Sequence, residues 1–164
     1  MAVLPVLRWP DPRLATLCDP VGEITPDLRT LAADMLQTMY AAPGRGLAAP
    51  QVGAMIRLFV MDATWKEGRF DPIVMVNPKI LWASEERKTG PEGCLSIPGI
   101  TTEISRATDI RIGWTDLDGN SQQADFAGFS AICAQHEYDH LDGIITLHHL
   151  SPEARALAET EFFA

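Results

Sequence analysis

Apolar positions recur at helical spacing in two stretches of the chain. Leu28, Leu31, Ala32, Met35, Leu36 and Met39 form one stripe in the i, i+3, i+4, i+7 rhythm. Thr25-Pro26-Asp27 stands before it: an N-cap, a proline suited to the first helical position and an acid for the first turn. The spacing predicts an amphipathic helix over 26–41 that ends before Pro43-Gly44. Later, Phe129, Ile132, Cys133, His136 and His140 keep the same rhythm up to Gly143. They predict a second helix whose buried face carries two imidazoles. Short β-branched and apolar runs at 57–61, 73–77, 79–82, 109–115 and 122–126 read as strands, with 116–120 a hairpin turn between the last two. Pro5, Pro10, Pro12 and Pro20 make 1–24 an irregular arm wrapping the core, with at most one turn of helix near 11–17. Residues 144–150 read as a final strand or extended piece, and 152–162 as a short closing helix within a C-terminal segment 151–164. Strands first and the histidine helix late give an α+β fold, mostly antiparallel small sheets packed around that central helix.

The 164 residues suit a single domain, 1–164, with a core of useful size. A formal net charge of −9 argues against direct binding of nucleic acid or of an anionic membrane. Apolar runs are short and broken by Pro, Arg and Asp, so neither a signal peptide nor a membrane span is expected and the chain reads as cytoplasmic. Cys18, Cys94 and Cys133 are too few for a disulfide framework, which leaves each as a thiol.

His136-Glu137-Tyr138-Asp139-His140 carries the chemistry. Histidines four apart lie on one helix face, so both can reach one ion while Glu137 stands beside them as a base. Burying two imidazoles on an apolar stripe is costly without a partner, and a metal is the economical one. A catalytic site needs a third protein ligand. The extended HExxHxxGxxH pattern has Gly143 in step, but Thr146 stands where its third His belongs, and His148 and His149 miss the register. Glu153 and Glu159 have no supporting motif. Cys94, in the Gly- and Pro-flanked Pro91-Glu92-Gly93-Cys94-Leu95-Ser96-Ile97-Pro98-Gly99, reads as part of an extended or turning loop, and its thiolate would complete a Cys/His/His set.

Three stretches in this order, Gly44-Arg45-Gly46-Leu47-Ala48-Ala49-Pro50-Gln51, Glu92-Gly93-Cys94-Leu95-Ser96 and Gln135-His136-Glu137-Tyr138-Asp139-His140, resemble the three motifs of the peptide deformylases. Trp9-Pro10-Asp11-Pro12-Arg13-Leu14 is similar too, so the likeness runs over roughly 5–151. The resemblance implies hydrolysis of the N-formyl group from the initiator methionine of nascent chains, with transient ribosome contact. It implies one divalent ion, usually Fe(II), with Zn, Ni or Co as substitutes, held by Cys94, His136 and His140. The ion would polarise the formyl carbonyl and lower the pKa of its water. Glu137 would take the water's proton and pass it to the leaving amine. The Gln51 amide and the Leu95 backbone N–H would donate to the oxyanion. Gly44, Arg45, Gly46 and Gly93 would lie along the peptide, and Phe129, Ile132 and Cys133 would line the methionine pocket. Core packing explains the last three almost as well. Arg106 resembles a family arginine that pairs with Glu92 and braces the metal loop, although a surface pair would look the same in sequence. Asp139 either supports a ligand or caps and solvates the helix.

Four features depart from the family pattern. Arg45 stands where Val or Ile is usual, Thr101 where many members have an arginine that holds the peptide, and Thr146-Leu147-His148-His149 replaces a more apolar run. The chain also ends without the basic extension some members carry. Altered acyl or side-chain preference follows as an expectation. Another metal hydrolase, and a deformylase-like protein that binds nascent chains without turnover, are the alternatives.

Overall fold

The computed structural model describes residues 2–164. Thr25 accepts a hydrogen bond from the Leu28 amide at 3.1 Å and starts α1 (Pro26–Ala41), the first helix expected from the apolar stripe. Five strands follow as one antiparallel sheet: β1 (Gly46–Ala48), β2 (Leu58–Met61), β3 (Ile73–Ala83), β6 (Asp109–Thr115) and β7 (Ser121–Ala127), in that spatial order. A separate hairpin pairs β4 (Arg87–Cys94) with β5 (Ile97–Ala107). Helices α2 (Gly128–Leu141) and α3 (Pro152–Phe163) complete the chain.

The sheet lies between α1 and α2. In β2 all four residues are buried, because alternate side chains serve opposite faces. Leu58 and Val60 meet Met35 and Met39 of α1. Phe59 and Met61 meet Ala131, Ala134 and Leu141 of α2. Each large side chain sealed this way contributes about 1.5–3 kcal/mol relative to an exposed one. The hairpin lies on a third cluster, in which Ile97 and Ile100 pack with Leu14 of the arm and Leu147. The arm from Ala2 to Asp19 is tied by backbone bonds, Leu7 N–H to the Gln51 carbonyl at 2.7 Å and Trp9 N–H to the Ser96 carbonyl at 3.0 Å. A short 3₁₀ turn, Pro12–Ala15, interrupts it. Met1, the first residue of the predicted arm, lies outside the described residues. Among those described, no helix is long and apolar enough to cross a membrane.

The structure corrects the sequence reading in four places. The two strands expected on either side of Pro78 are one strand, β3, whose register shifts absorb the proline. Asn77 takes φ 48° there and its amide bonds both polar groups of Val21, fixing the arm to the kink. The loop expected around Cys94 is the tip of the long β4–β5 hairpin. Inward-facing Thr102 and Arg106 break β5's apolar alternation, which hid it from the pattern. Residues 144–150 contain a 3₁₀ turn, Thr146–His149, in place of a strand. Finally, α2 is buried on more than one side, since it faces both the sheet and the hairpin. Its stripe starts outside the core, with Phe129 45% exposed.

Candidate metal centre

Two elements bring the candidate ligands together. Cys94 ends β4 at the hairpin tip, where it pairs with Ile97 across the turn. His136 and His140 stand one helical turn apart on the α2 face toward that tip. One donor atom from each of the three lies within 4.8 Å of the others, and Cys94 Sγ is 3.5 Å from His140 Nε2. The imidazoles meet edge to face with centroids 5.1 Å apart. All three side chains are buried.

Hydrogen bonds from outside the trio fix these side chains. Glu92 accepts from His136 Nδ1 at 2.9 Å, which aims the ring's other nitrogen at the trio. Arg106 donates to both oxygens of Glu92 at 2.8 and 2.9 Å and to Asp139 Oδ2 at 2.6 Å. This is a buried charge network, not a surface pair, and Asp139 is braced within it. His149, which misses the third-ligand register, reaches the same Asp139 oxygen at 2.8 Å. Gln51 accepts from the Ala48 amide at 3.0 Å, which turns its own N–H groups to Ser96 Oγ at 3.0 Å and Cys94 Sγ at 3.7 Å. Leu95, in the hairpin turn, lies beside Gly44, where an added Cβ would come within 2.9 Å of Leu95 Cδ1. Ser96, in the hairpin turn between Cys94 and Ile97, was given no role by the sequence reading, and no local signal marked one.

Burial pushes the Glu137 carboxyl up to about 7, against the charges of His136 and Arg106. Its Oε1 is buried without a protein partner. Burial alone would also raise Glu92, but hydrogen bonds from His136 and Arg106 outweigh it and hold that carboxyl at about 2. Burial, then the charges of His136 and Arg106, push His140 well below the ordinary imidazole value, toward the neutral form that offers a lone pair. Burial pushes the Cys133 thiol far up, which leaves it a small protonated side chain.

The residues present fit a divalent ion. One thiolate and two imidazoles form a soft, three-donor set of the kind that leaves a position open for chemistry. Glu137 has an unpartnered oxygen beside that set, and Gly46 keeps the space in front of it: a Cβ there would lie 2.5 Å from Glu137 Oε2. The peptidase alternatives find no such support. Thr146 is buried away from the trio's hydrogen bonds, and Glu159 pairs with Arg155 at 2.7 Å.

A cleft of about 510 Å³ opens onto the trio. Gly44 and Arg45 with Gly46 of β1, Gly93 of β4 and Leu95 of the hairpin turn line one part of it, and Phe129, Ile132 and Cys133 of α2 another. Cys133 is buried and lines the cleft at once, so its packing and its contact with the site coincide. Thr101 sits exposed on the rim. Lys66 also lines the cleft, from a 3₁₀ turn (Trp65–Glu67) that no sequence signal marked.

Comparison with known proteins gives one answer. The family model for polypeptide deformylase matches residues 3–156. The chain is 46% identical over 164 residues to a peptide deformylase of Rhodopseudomonas palustris strain BisB5, covering 99% of this chain and 94% of that one. It is 46% identical over 155 residues to one from Acinetobacter baumannii strain SDF, covering 94% and 87%. Among solved structures, the peptide deformylase from Ehrlichia chaffeensis in complex with actinonin superposes with a TM-score of 0.93 at 38% identity, over 98% of this chain and 96% of that one. The Legionella pneumophila peptide deformylase superposes equally well, with 38% identity and 99% and 94% coverage.

Proposed function

The chain belongs to the polypeptide deformylase family, and from that premise we propose that Cys94, His136 and His140 hold its catalytic metal while Glu137 moves the proton. The enzyme is a hydrolase that removes the N-formyl group from newly made polypeptides, with a single catalytic metal ion. The carrying observation for the residue roles is the trio of donor atoms within 4.8 Å, with the unpartnered carboxyl oxygen of Glu137 beside it. We read 1–164 as one catalytic unit that includes the arm 1–24 and α3.

An ion bound by this set supplies Lewis acidity to the formyl carbonyl and a water of lowered pKa. Glu137 accepts a proton from the attacking water and delivers it to the peptide nitrogen as the formyl C–N bond breaks, so that formate and a free amine leave. The Gln51 amide, held by Ala48 and Ser96, and the Leu95 backbone N–H donate to the carbonyl oxygen as it gains charge. Arg106 and Glu92 keep His136 in one tautomer and one orientation. Phe129, Ile132 and Cys133 form the wall for the first side chain, and Gly44, Gly46 and Gly93 leave room for the peptide backbone.

We assign Fe(II) as the metal in the cell, with Zn, Ni or Co as replacements; the thiolate and imidazole donors suit each of them. Action on newly made polypeptides supports a cytoplasmic location with transient ribosome contact, and a net charge of −9 works against lasting contact with RNA. The test is formate release from an N-formyl-methionyl peptide by protein loaded anaerobically with Fe(II), or with Ni(II). Release by the wild type and its loss in Glu137→Ala are expected. No release from protein carrying a full equivalent of metal would overturn the reading.

A further inference from the structure

The open end of the cleft differs in charge from the rest of the molecule. Apart from Glu92 and Glu137 at the metal end, its charged lining is Arg45 and Lys66, in a chain of net charge −9. The Arg45 guanidinium lies 4.8 Å from the ring centroid of Phe129, on the wall assigned to the first side chain. Its one ion pair is a single long contact, Nη2 to Glu67 Oε1 at 3.3 Å, and its Nε is buried without a partner. A guanidinium has five N–H donors, so most of its capacity is unspent. Among the described residues, Lys66 makes no ion pair. The Trp65 indole donates to the Gly44 carbonyl at 2.8 Å, which pins the turn carrying Lys66 and Glu67 to the start of β1. Two cations and one carboxylate are thus held at the mouth as a unit, net positive.

Resting on the deformylase reading of this cleft, we propose that Arg45, with Lys66 beside it, selects formylated substrates that carry a carboxylate close behind the formylated residue. The carboxylate is an acidic side chain in the next residues or the α-carboxylate of a short peptide. A planar fork stacked on an aromatic wall suits two-point recognition of that group. Without these cations, an acidic chain would repel such substrates.

The test compares kcat/KM for formate release within two pairs: formyl-Met-Glu-Ser-amide against formyl-Met-Gln-Ser-amide, and formyl-Met-Ala-Ser as acid against amide. The wild type should favour the carboxylate in at least one pair by about fivefold, the scale of a partly exposed charge pair, and the pair that responds identifies the source. Arg45→Met should bring that ratio near one, Arg45→Lys, which keeps the charge and loses the fork, should keep only part of it, and 0.5 M salt should shrink it. Glu67→Gln removes the internal competitor and should raise the ratio about twofold. Should Arg45→Met fail to fold, Glu67→Gln, which alters an exposed side chain, decides the matter. Equal rates in both wild-type pairs, a ratio that survives Arg45→Met, or no rise in Glu67→Gln would overturn the proposal. Titrating the same peptides into Glu137→Gln reads affinity without turnover. A charge preference there with no formate from the wild type would overturn the hydrolase reading alone, whereas no preference there would overturn the selection whatever the turnover.

Discussion

Replacing Arg106 with methionine should be far more damaging than its distance from the substrate suggests. The side chain is 5% exposed and neutralises two carboxylates, the buried Glu92, 6% exposed, and the partly buried Asp139, 20% exposed. Methionine fills much of the same volume but leaves Glu92 charged and desolvated. Removing one partner of such a pair costs about 3–5 kcal/mol, which for a chain of this size lowers Tm by roughly 6–20 °C. Glu92→Gln in the Arg106→Met background removes the stranded charge, so the double variant should cost less than the sum of the singles by about 1–3 kcal/mol. The assay is thermal unfolding of the four proteins at equal metal saturation, because bound metal itself raises Tm. Costs that add to within about 0.5 kcal/mol would refute the network. The same variant should also weaken metal binding about 10–100-fold, because Glu92 would no longer hold His136 by a fixed hydrogen bond. Unchanged metal affinity would separate the charge network from ligand orientation.

Gly46→Ala should lower kcat/KM about 100-fold with a smaller effect on Tm, since the new Cβ must displace Glu137, 2.5 Å away; steady-state kinetics and a melting curve distinguish this from a folding defect. Gln51→Ala should cost about 100–1,000-fold in kcat, measured with the metal content held equal, because one donor to the developing oxyanion is lost. Gly143→Ala should destabilise by about 2 kcal/mol or more, read by denaturant unfolding, since Gly143 has φ +73° and its Cβ would lie 2.8 Å from backbone atoms of Ala15 and Thr16. Extraction of metal by a chelator should abolish formate release and lower Tm, and restoring the ion should recover both.

The parts of this fold that sequence showed are those with one apolar face. The α1 stripe, β6, β7 and their turn each alternate or repeat cleanly, because one side meets the core and the other water. The β4–β5 hairpin was hidden for the opposite reason. Its inward positions include Thr102 and also Glu92 and Arg106, the pair that braces His136, so residues that serve the site helped erase the pattern that would have revealed the strand. The same holds for β1, three residues long and glycine-led, where the pattern predicts no strand and Gly46 must leave room for Glu137. His136, Glu137 and His140 were legible from spacing alone, whereas Cys94 needed its neighbouring motif. His149 and Lys66 had no local signal. They reach Asp139 and the cleft only through tertiary folding, one from a 3₁₀ turn that followed no periodicity and the other from a solvent-facing turn.

Metal content and formate release, measured on the same preparations of the wild type, Cys94→Ala and Glu137→Ala, test the central claim most directly. One equivalent of metal and full turnover are expected in the wild type, a full equivalent without turnover in Glu137→Ala, and loss of both in Cys94→Ala. Turnover by Glu137→Ala near the wild-type rate, or a full equivalent of tightly held metal in Cys94→Ala, would contradict it.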